Sequence, residues 1–255
     1  LIEWVTLLNT SVYLSTSPVT SQGEPPQRWK LSVSQPRILA HRGASGYLLE
    51  NSLEAFRDAL IRGADGVELD VHASRDGGLI VHHDAVIPGL GPIASSSLAA
   101  ARNIQLSNGE PAPTLAEALE ALGPAEVWIE VKSLPPEWDQ ALLEVLRAAP
   151  APERYAVHSF DHRIVARLGL EAPRLRRGVL SASYPVDPAG QMLGAGATVL
   201  WQAASLIDAE LVAAIHRKGG EIIAWTVNDS AVAQILAALG VDALCGNFPE
   251  RLRVG

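Results

Sequence analysis

Gly66-Val67-Glu68-Leu69-Asp70-Val71-His72-Ala73, then Ser74-Arg75-Asp76-Gly77-Gly78, then Leu79-Ile80-Val81-His82-His83-Asp84 is the stretch on which the fold turns. The first run is apolar and rich in valine, and strand side chains alternate faces, so Glu68, Asp70 and His72 share one face. The second apolar run follows after only Ser74 to Gly78. A parallel crossover needs a dozen or more residues, so the chain turns back here in a hairpin on Asp76-Gly77. That return carries His83 alongside Glu68 and Asp70. His82 and His83 occupy opposite faces, so one of them points toward the acids. Carboxylates flanked by Val67, Leu69 and Val71 are costly to bury and call for a cation, an arginine or solvent. His72 shares their face and reads as a bystander or a supporting donor.

On either side of this hairpin, β-branched apolar runs alternate with amphipathic helical patterns. Strands are expected to begin near residues 37, 66, 126, 155, 175, 197, 221 and 242. Helices are expected over about 51–62, 114–122, 137–147, 161–168, 187–194, 208–217 and 230–239. Eight strands at the spacing of a βα unit give an α/β protein of the (β/α)8 TIM barrel type. Residues 85–113 form a small insertion after the second-strand hairpin, punctuated by Pro88-Gly89 and Gly91-Pro92 and holding one short helix at about 95–103. The barrel is assigned to 37–255. Residues 1–36 form an N-terminal arm without an assigned role, and 15–36 is rich in Ser, Pro, Thr and Gln. The arm is a segment available for packing on the barrel or for building a homo-oligomer.

The 255 residues suffice for one large core, and 48% are apolar. Twenty basic against 28 acidic residues give a charge of -8, and the lysines are Lys30, Lys132 and Lys218 alone. A broad basic surface for nucleic acid is therefore not expected. The single Cys245 excludes an internal disulfide. Leu1 to Leu14 is apolar but carries Glu3 and Asn9, without a basic leader or small-residue cleavage site, so neither a transmembrane helix nor a good signal peptide is expected. The cytoplasm is the expected compartment, with a periplasmic or secreted location as the alternative.

Other chemistry-bearing residues lie at strand ends. His41-Arg42-Gly43 closes the first strand, at the rim where barrel active sites are built. Glu50-Asn51-Ser52 opens a helix, with Asn51 or Ser52 as its cap. In Trp128-Ile129-Glu130-Val131-Lys132 the acid and the lysine share a face, which reads as a salt bridge or as a third metal ligand beside a phosphate contact. Trp225-Thr226-Val227-Asn228 ends a late strand and offers an apolar wall with a polar tip, or a core tryptophan. Arg174, Arg176 and Arg177 are expected to form a solvated cluster.

Taken in order, these motifs resemble the glycerophosphodiester phosphodiesterase family over roughly Ile38 to Glu250. The resemblance rests on His41-Arg42-Gly43, Glu50-Asn51-Ser52, Glu68-Leu69-Asp70-Val71, His83-Asp84, Pro113-Thr114-Leu115, Glu130-Val131-Lys132, Ser159-Phe160 and Trp225-Thr226-Val227-Asn228. It implies hydrolysis of a glycerophosphodiester to glycerol 3-phosphate and an alcohol. Glu68, Asp70 and Glu130 would hold one divalent cation, Mg2+ or Ca2+ given oxygen-only ligands. Arg42, Asn51, Lys132 and Trp225 would bind phosphate and substrate. His83 would be the base and His41 the acid, or the reverse, through a cyclic phosphate. Phospholipase D-like hydrolysis of lysophospholipids and a non-catalytic phosphodiester-binding barrel are the alternatives. The chain departs from the family pattern at Leu49 (usually Pro), at Ser52 (usually Thr), in an insertion lacking Arg-Thr-Thr, and at Gly246-Asn247 where Thr-Asp is usual. The last departure predicts the loss of a late-strand contact.

Overall fold

A computed structural model describes residues 35–254, so the expected N-terminal arm, up to residue 34, lies outside the described residues. The elements follow in chain order as β1 (Arg37–His41), α1 (Leu53–Ile61), β2 (Gly66–Ala73), β3 (Leu79–Val81), β4 (Val86–Ile87), β5 (Gly91–Pro92), α2 (Leu98–Arg102) and α3 (Leu115–Leu122). After them come β6 (Glu126–Ser133), α4 (Asp139–Ala148), β7 (Tyr155–Ser159), α5 (His162–Glu171), β8 (Arg176–Ser181), α6 (Gly190–Gly194), β9 (Val199–Ala203), α7 (Ala209–Arg217), β10 (Glu221–Trp225), α8 (Ser230–Leu239) and β11 (Ala243–Gly246). The sheet runs β1-β11-β10-β9-β8-β7-β6-β2, and β1 also pairs with β2, so eight parallel strands close on themselves. This is the expected (β/α)8 barrel.

Local chemistry starts the helices where the sequence allows. Ser52, Thr114, Asp161, Asp208 and Asp229 each cap a helix by accepting a backbone N–H, and Thr114 with Glu117 forms a full capping box. Gly240 ends α8 in the left-handed conformation. Leu115, Leu119, Leu142, Leu146 and Leu168 bury one helical face on the outer side of the sheet. Leu211, Ile215 and Leu236 do the same on the other half.

Alternation along the strands fills the interior in layers. At the N-terminal end Arg37, Glu126, Arg176 and Glu221 form a closed ring of ion pairs, with Trp128 Nε1 also donating to Glu126. Above it Leu39, Trp128, Trp201, Ile223 and Ala243 are buried together. Trp128 and Trp201 meet edge to face at 5.2 Å. Gly178 makes room for them, since a Cβ there would lie 2.9 Å from Trp201 and 3.1 Å from Trp128. The expected solvated arginine cluster is thus corrected at two of its three members. Arg176 belongs to the ring and stacks on Trp128, while Arg177 folds onto the carbonyls of Ala172, Leu175 and Gly196. Barrel closure brings these carboxylates and carbonyls from distant strands, which composition cannot show.

The hairpin forms as read: β3 runs antiparallel to β2, and Gly77 takes φ +81° in the turn. Between β3 and α3 the insertion packs its own small core of Ile80, Ile87, Ile93, Ala101 and Ala112. No helix among the described residues is long and apolar enough to cross a membrane.

Burial raises the Glu126 pKa, but Arg37 and the hydrogen bonds from Arg37 and Trp128 outweigh it and hold the group below its ordinary value. Its stabilisation is present above that ordinary value and is lost as pH falls through the depressed one. Glu126→Ala should cost about 1–3 kcal/mol at neutral pH by leaving several donors without an acceptor. Denaturant melts should show this gap closing on acidification. Gly178→Ala should cost a similar amount at every pH, because overpacking costs about 1–3 kcal/mol and carries no charge.

Candidate active site

The C-terminal ends of β1, β2, β6 and β7 place the expected groups around one mouth. Glu68 and Asp70 rise from β2, and Glu130 rises from the adjoining β6, where it pairs in register with Asp70. All three are buried, and one carboxylate oxygen from each lies within 4.8 Å of the others. Lys132 Nζ stands 2.7 Å from Glu130 and 3.1 Å from Asp70. Arg42 Nε lies 3.0 Å from Asp70, and its other end is held by both oxygens of Glu50 at 2.9 and 3.0 Å.

Backbone shape is part of this arrangement. Arg42 and Asn51 take φ of +56° and +57°, where non-glycine residues are rare. They are locked together: the Asn51 N–H donates to the Arg42 carbonyl, and the Arg42 N–H donates to the Glu68 carbonyl. Asn51 is not the helix cap; it borders a cavity at the rim, and its side chain is engaged with Asp70. Its amide donates to Asp70 Oδ2 at 2.8 Å while its carbonyl oxygen accepts the Asp70 N–H at 3.2 Å. Ser52 is the cap.

The two expected histidines stand beside the acids, each held at Nδ1. His41 Nδ1 meets Asn247 Oδ1 at 2.8 Å, which leaves Nε2 facing Glu68 at 4.0 Å. The expectation of a lost late-strand contact is therefore corrected, because the neutral amide of Asn247, as long as an aspartate, still reaches the ring. His83 Nδ1 meets Asp84 at 2.8 Å. His82 turns to the Asp84 carbonyl instead. His72 is a support, with Nε2 on the His83 carbonyl at 3.0 Å and Nδ1 on Ser133 at 3.2 Å.

Trp225 packs edge to face on Phe160 at 5.5 Å, and with Leu180 and Trp201 they wall a chamber of about 90 Å3. His41, Arg42, Glu68, His83, Glu130 and Lys132 line the rest of it. The residue that sequence reasoning missed is His158, fully buried on β7 beside Glu130. Its Nε2 is 3.7 Å from Glu68, and neither ring nitrogen has a hydrogen-bond partner. The signal was present in Tyr155-Ala156-Val157-His158, where alternation puts His158 on the same inner face as Ala156.

The charges are unevenly settled. Burial works against ionised Asp70, but Lys132, Arg42 and the Asn51 amide outweigh it and lower its pKa. Burial, then the nearby Asp70 charge, pushes Glu68 up to about 7. Burial, then Glu68, does the same to Glu130, also to about 7. Burial lowers His158 to about 4, so it is neutral. Asp70 Oδ1 accepts no aligned hydrogen bond even though Lys132 is near. Three clustered carboxylates, one with an orphaned oxygen and two kept from ionising, fit a divalent cation with oxygen ligands.

The model of the glycerophosphoryl diester phosphodiesterase family matches residues 41–251. The chain belongs to this family. A glycerophosphodiester phosphodiesterase of Caldanaerobacter subterraneus is 31% identical over 231 residues, covering 84% of this chain and 95% of that protein. One from Bacillus altitudinis is 28% identical over 244 residues, covering 84% and 96%. Among solved structures, an Oleispira antarctica phosphodiesterase in complex with the product sn-glycerol-3-phosphate superposes with a TM-score of 0.79 at 26% identity, covering 86% of this chain and 95% of that one. The mouth described above thus lies in a phosphodiesterase-family barrel, and its acids and imidazoles fall within the matched residues.

Because Glu68 and Glu130 bind protons more tightly folded than unfolded, the metal-free protein loses stability as pH rises from about 4.5 to about 7. A cation must displace those protons. Its affinity should rise steeply between about pH 6 and pH 8, with protons released on binding. Calorimetry in buffers of differing ionisation enthalpy checks this; a pH-independent affinity with no proton release contradicts it.

Proposed function

We propose that the chain hydrolyses glycerophosphodiesters to glycerol 3-phosphate and an alcohol. The observation that carries this reading is the buried cluster of Glu68, Asp70 and Glu130 with His41 and His83 beside it in one small chamber. The relatives named above, glycerophosphodiester phosphodiesterases among them, support the same reading.

A phosphodiester resists hydrolysis because its anionic oxygens repel nucleophiles and its leaving alkoxide is a poor one. Arg42 and Lys132 supply fixed positive charge at the chamber, and each is anchored by carboxylates so that neither reorganises during reaction. Glu68, Asp70 and Glu130 would hold Mg2+ or Ca2+, which supplies further neutralisation of the phosphate when bound. The Nδ1 contacts of His41 and His83 leave each Nε2 free for proton transfer. One imidazole takes the proton from the glycerol hydroxyl beside the phosphate as that oxygen bonds to phosphorus. The other gives a proton to the alcohol oxygen as its bond to phosphorus breaks. The resulting cyclic phosphate is opened by water with the two histidines exchanging roles. His158, neutral and enclosed, keeps water from the rear of Glu68 and Glu130.

The apolar rim of Phe160 and Trp225 supports a second reading, hydrolysis of lysophospholipids, in which an acyl chain would rest on those rings. The narrowness of the chamber favours the deacylated diesters. Assayed side by side, glycerophosphocholine should release choline at least tenfold faster than lysophosphatidylcholine; the opposite order selects the second reading. His41→Ala and His83→Ala should each lower turnover by ~100-fold or more with an unchanged circular dichroism melt, going by the usual worth of positioned acid–base groups. Near-normal rates in either variant refute its role.

A further inference from the structure

Behind His83 a second cavity of about 390 Å3 opens between the barrel rim and the insertion. His83 lines both this cavity and the small chamber, so the two lie on either side of one imidazole. A diester has two organic arms. The chamber of about 90 Å3 around the acids is small, and the phosphate with a three-carbon glycerol arm against Phe160 and Trp225 would take up much of it. The larger cavity is the available space for the second arm.

The walls of that cavity have a distinct chemistry. Glu50 and Asp84 face it, as do Gln105 and Ser107 from the insertion, with Leu106 and Ile87 as apolar floor. Neither Lys nor Arg lines it. Arg42 engages Glu50 from the barrel side, whereas Asp84 is exposed and has only the His83 ring as partner. The hydrogen bond from His83 outweighs slight burial and holds the Asp84 pKa below its ordinary value, so this carboxylate is charged at neutral pH. Among the described residues the only aromatic rings on its wall are the imidazoles of His82 and His83, and no Phe, Tyr or Trp face is present to cage a quaternary ammonium. Carboxylate, amide and hydroxyl groups instead match a primary ammonium with three N–H donors.

We propose that this cavity is the subsite for the alcohol arm and that it selects small amino alcohols of the ethanolamine kind, with Gln105 and Ser107 as specificity-determining residues. The inference rests on the phosphodiesterase reading above and deepens it. Nothing in the chemistry of the acids or the histidines requires it, so the two can fail separately.

Gln105 and Ser107 are exposed and bond to neither histidine nor acid, so a lysine at either should fold normally. In Gln105→Lys and Ser107→Lys, kcat/KM for glycerophosphoethanolamine should fall fivefold or more, while that for glycerophosphoglycerol, whose alcohol arm is uncharged, should not fall. Ser107→Glu should move the ethanolamine diester the other way. With the cation removed by EDTA, saturation-transfer NMR should show contact between the protein and the ethanolamine methylenes of the same diester, lost in Gln105→Lys. Equal losses on both substrates, or no change on either, together with an unaltered NMR signal, overturn the subsite. A wild-type protein that hydrolyses neither diester with Mg2+ or Ca2+ overturns the phosphodiesterase reading itself, whatever the NMR shows of the cavity.

Discussion

Mutual repulsion among Glu68, Asp70 and Glu130, enclosed within a few ångströms, is the constraint around which the mouth of this barrel is built. Charges at that separation in a low-dielectric site cannot all ionise without compensation. Lys132 and Arg42 stabilise one of them, Asp70, and the other two give up their protons only around neutrality. Several otherwise odd features follow. Arg42 and Asn51 accept left-handed backbone so that one can reach Asp70 with its guanidinium and the other with its amide. Glu50 is drawn in to hold the far side of Arg42. The strain costs stability locally and is offset by the surrounding barrel.

The barrel offsets it through division of labour between its ends. The N-terminal mouth is closed by a neutral ring of two arginines and two glutamates, and the middle is filled by two tryptophans accommodated by Gly178. The charged groups of the ring satisfy one another. At the C-terminal mouth such groups do not, and unmet polar demand is what a binding site needs. His158 marks the border: it packs at 4.1 Å from the Trp201 ring yet lies against the acids, polar atoms unpaired.

Much of this was legible before any coordinates. The hairpin of β2 and β3 follows from five intervening residues, and the eight βα units follow from the alternation of apolar strand runs with amphipathic helical patterns. Glu68, Asp70, Glu130 and Lys132 were readable as inward groups because strand alternation is a two-residue rule. His158 obeys the same rule, but the other inward residue of its short strand, Ala156, is apolar, so no second polar group on that face marks it. Asn51 and Ser52 were both readable as the helix cap, and the structure selects Ser52, since sequence proximity to a helix start cannot tell which way a left-handed residue points.

Sequence by itself determined which side chains face inward and in what order the elements alternate, because both depend on contacts between near neighbours along the chain. Tertiary structure alone decided that Asn247 meets His41, that Arg176 joins Glu221, and that a cavity opens between His83 and the insertion. Those outcomes depend on how strands far apart in sequence close into a ring and where a loop comes to rest on its rim. No local pattern encodes either distance.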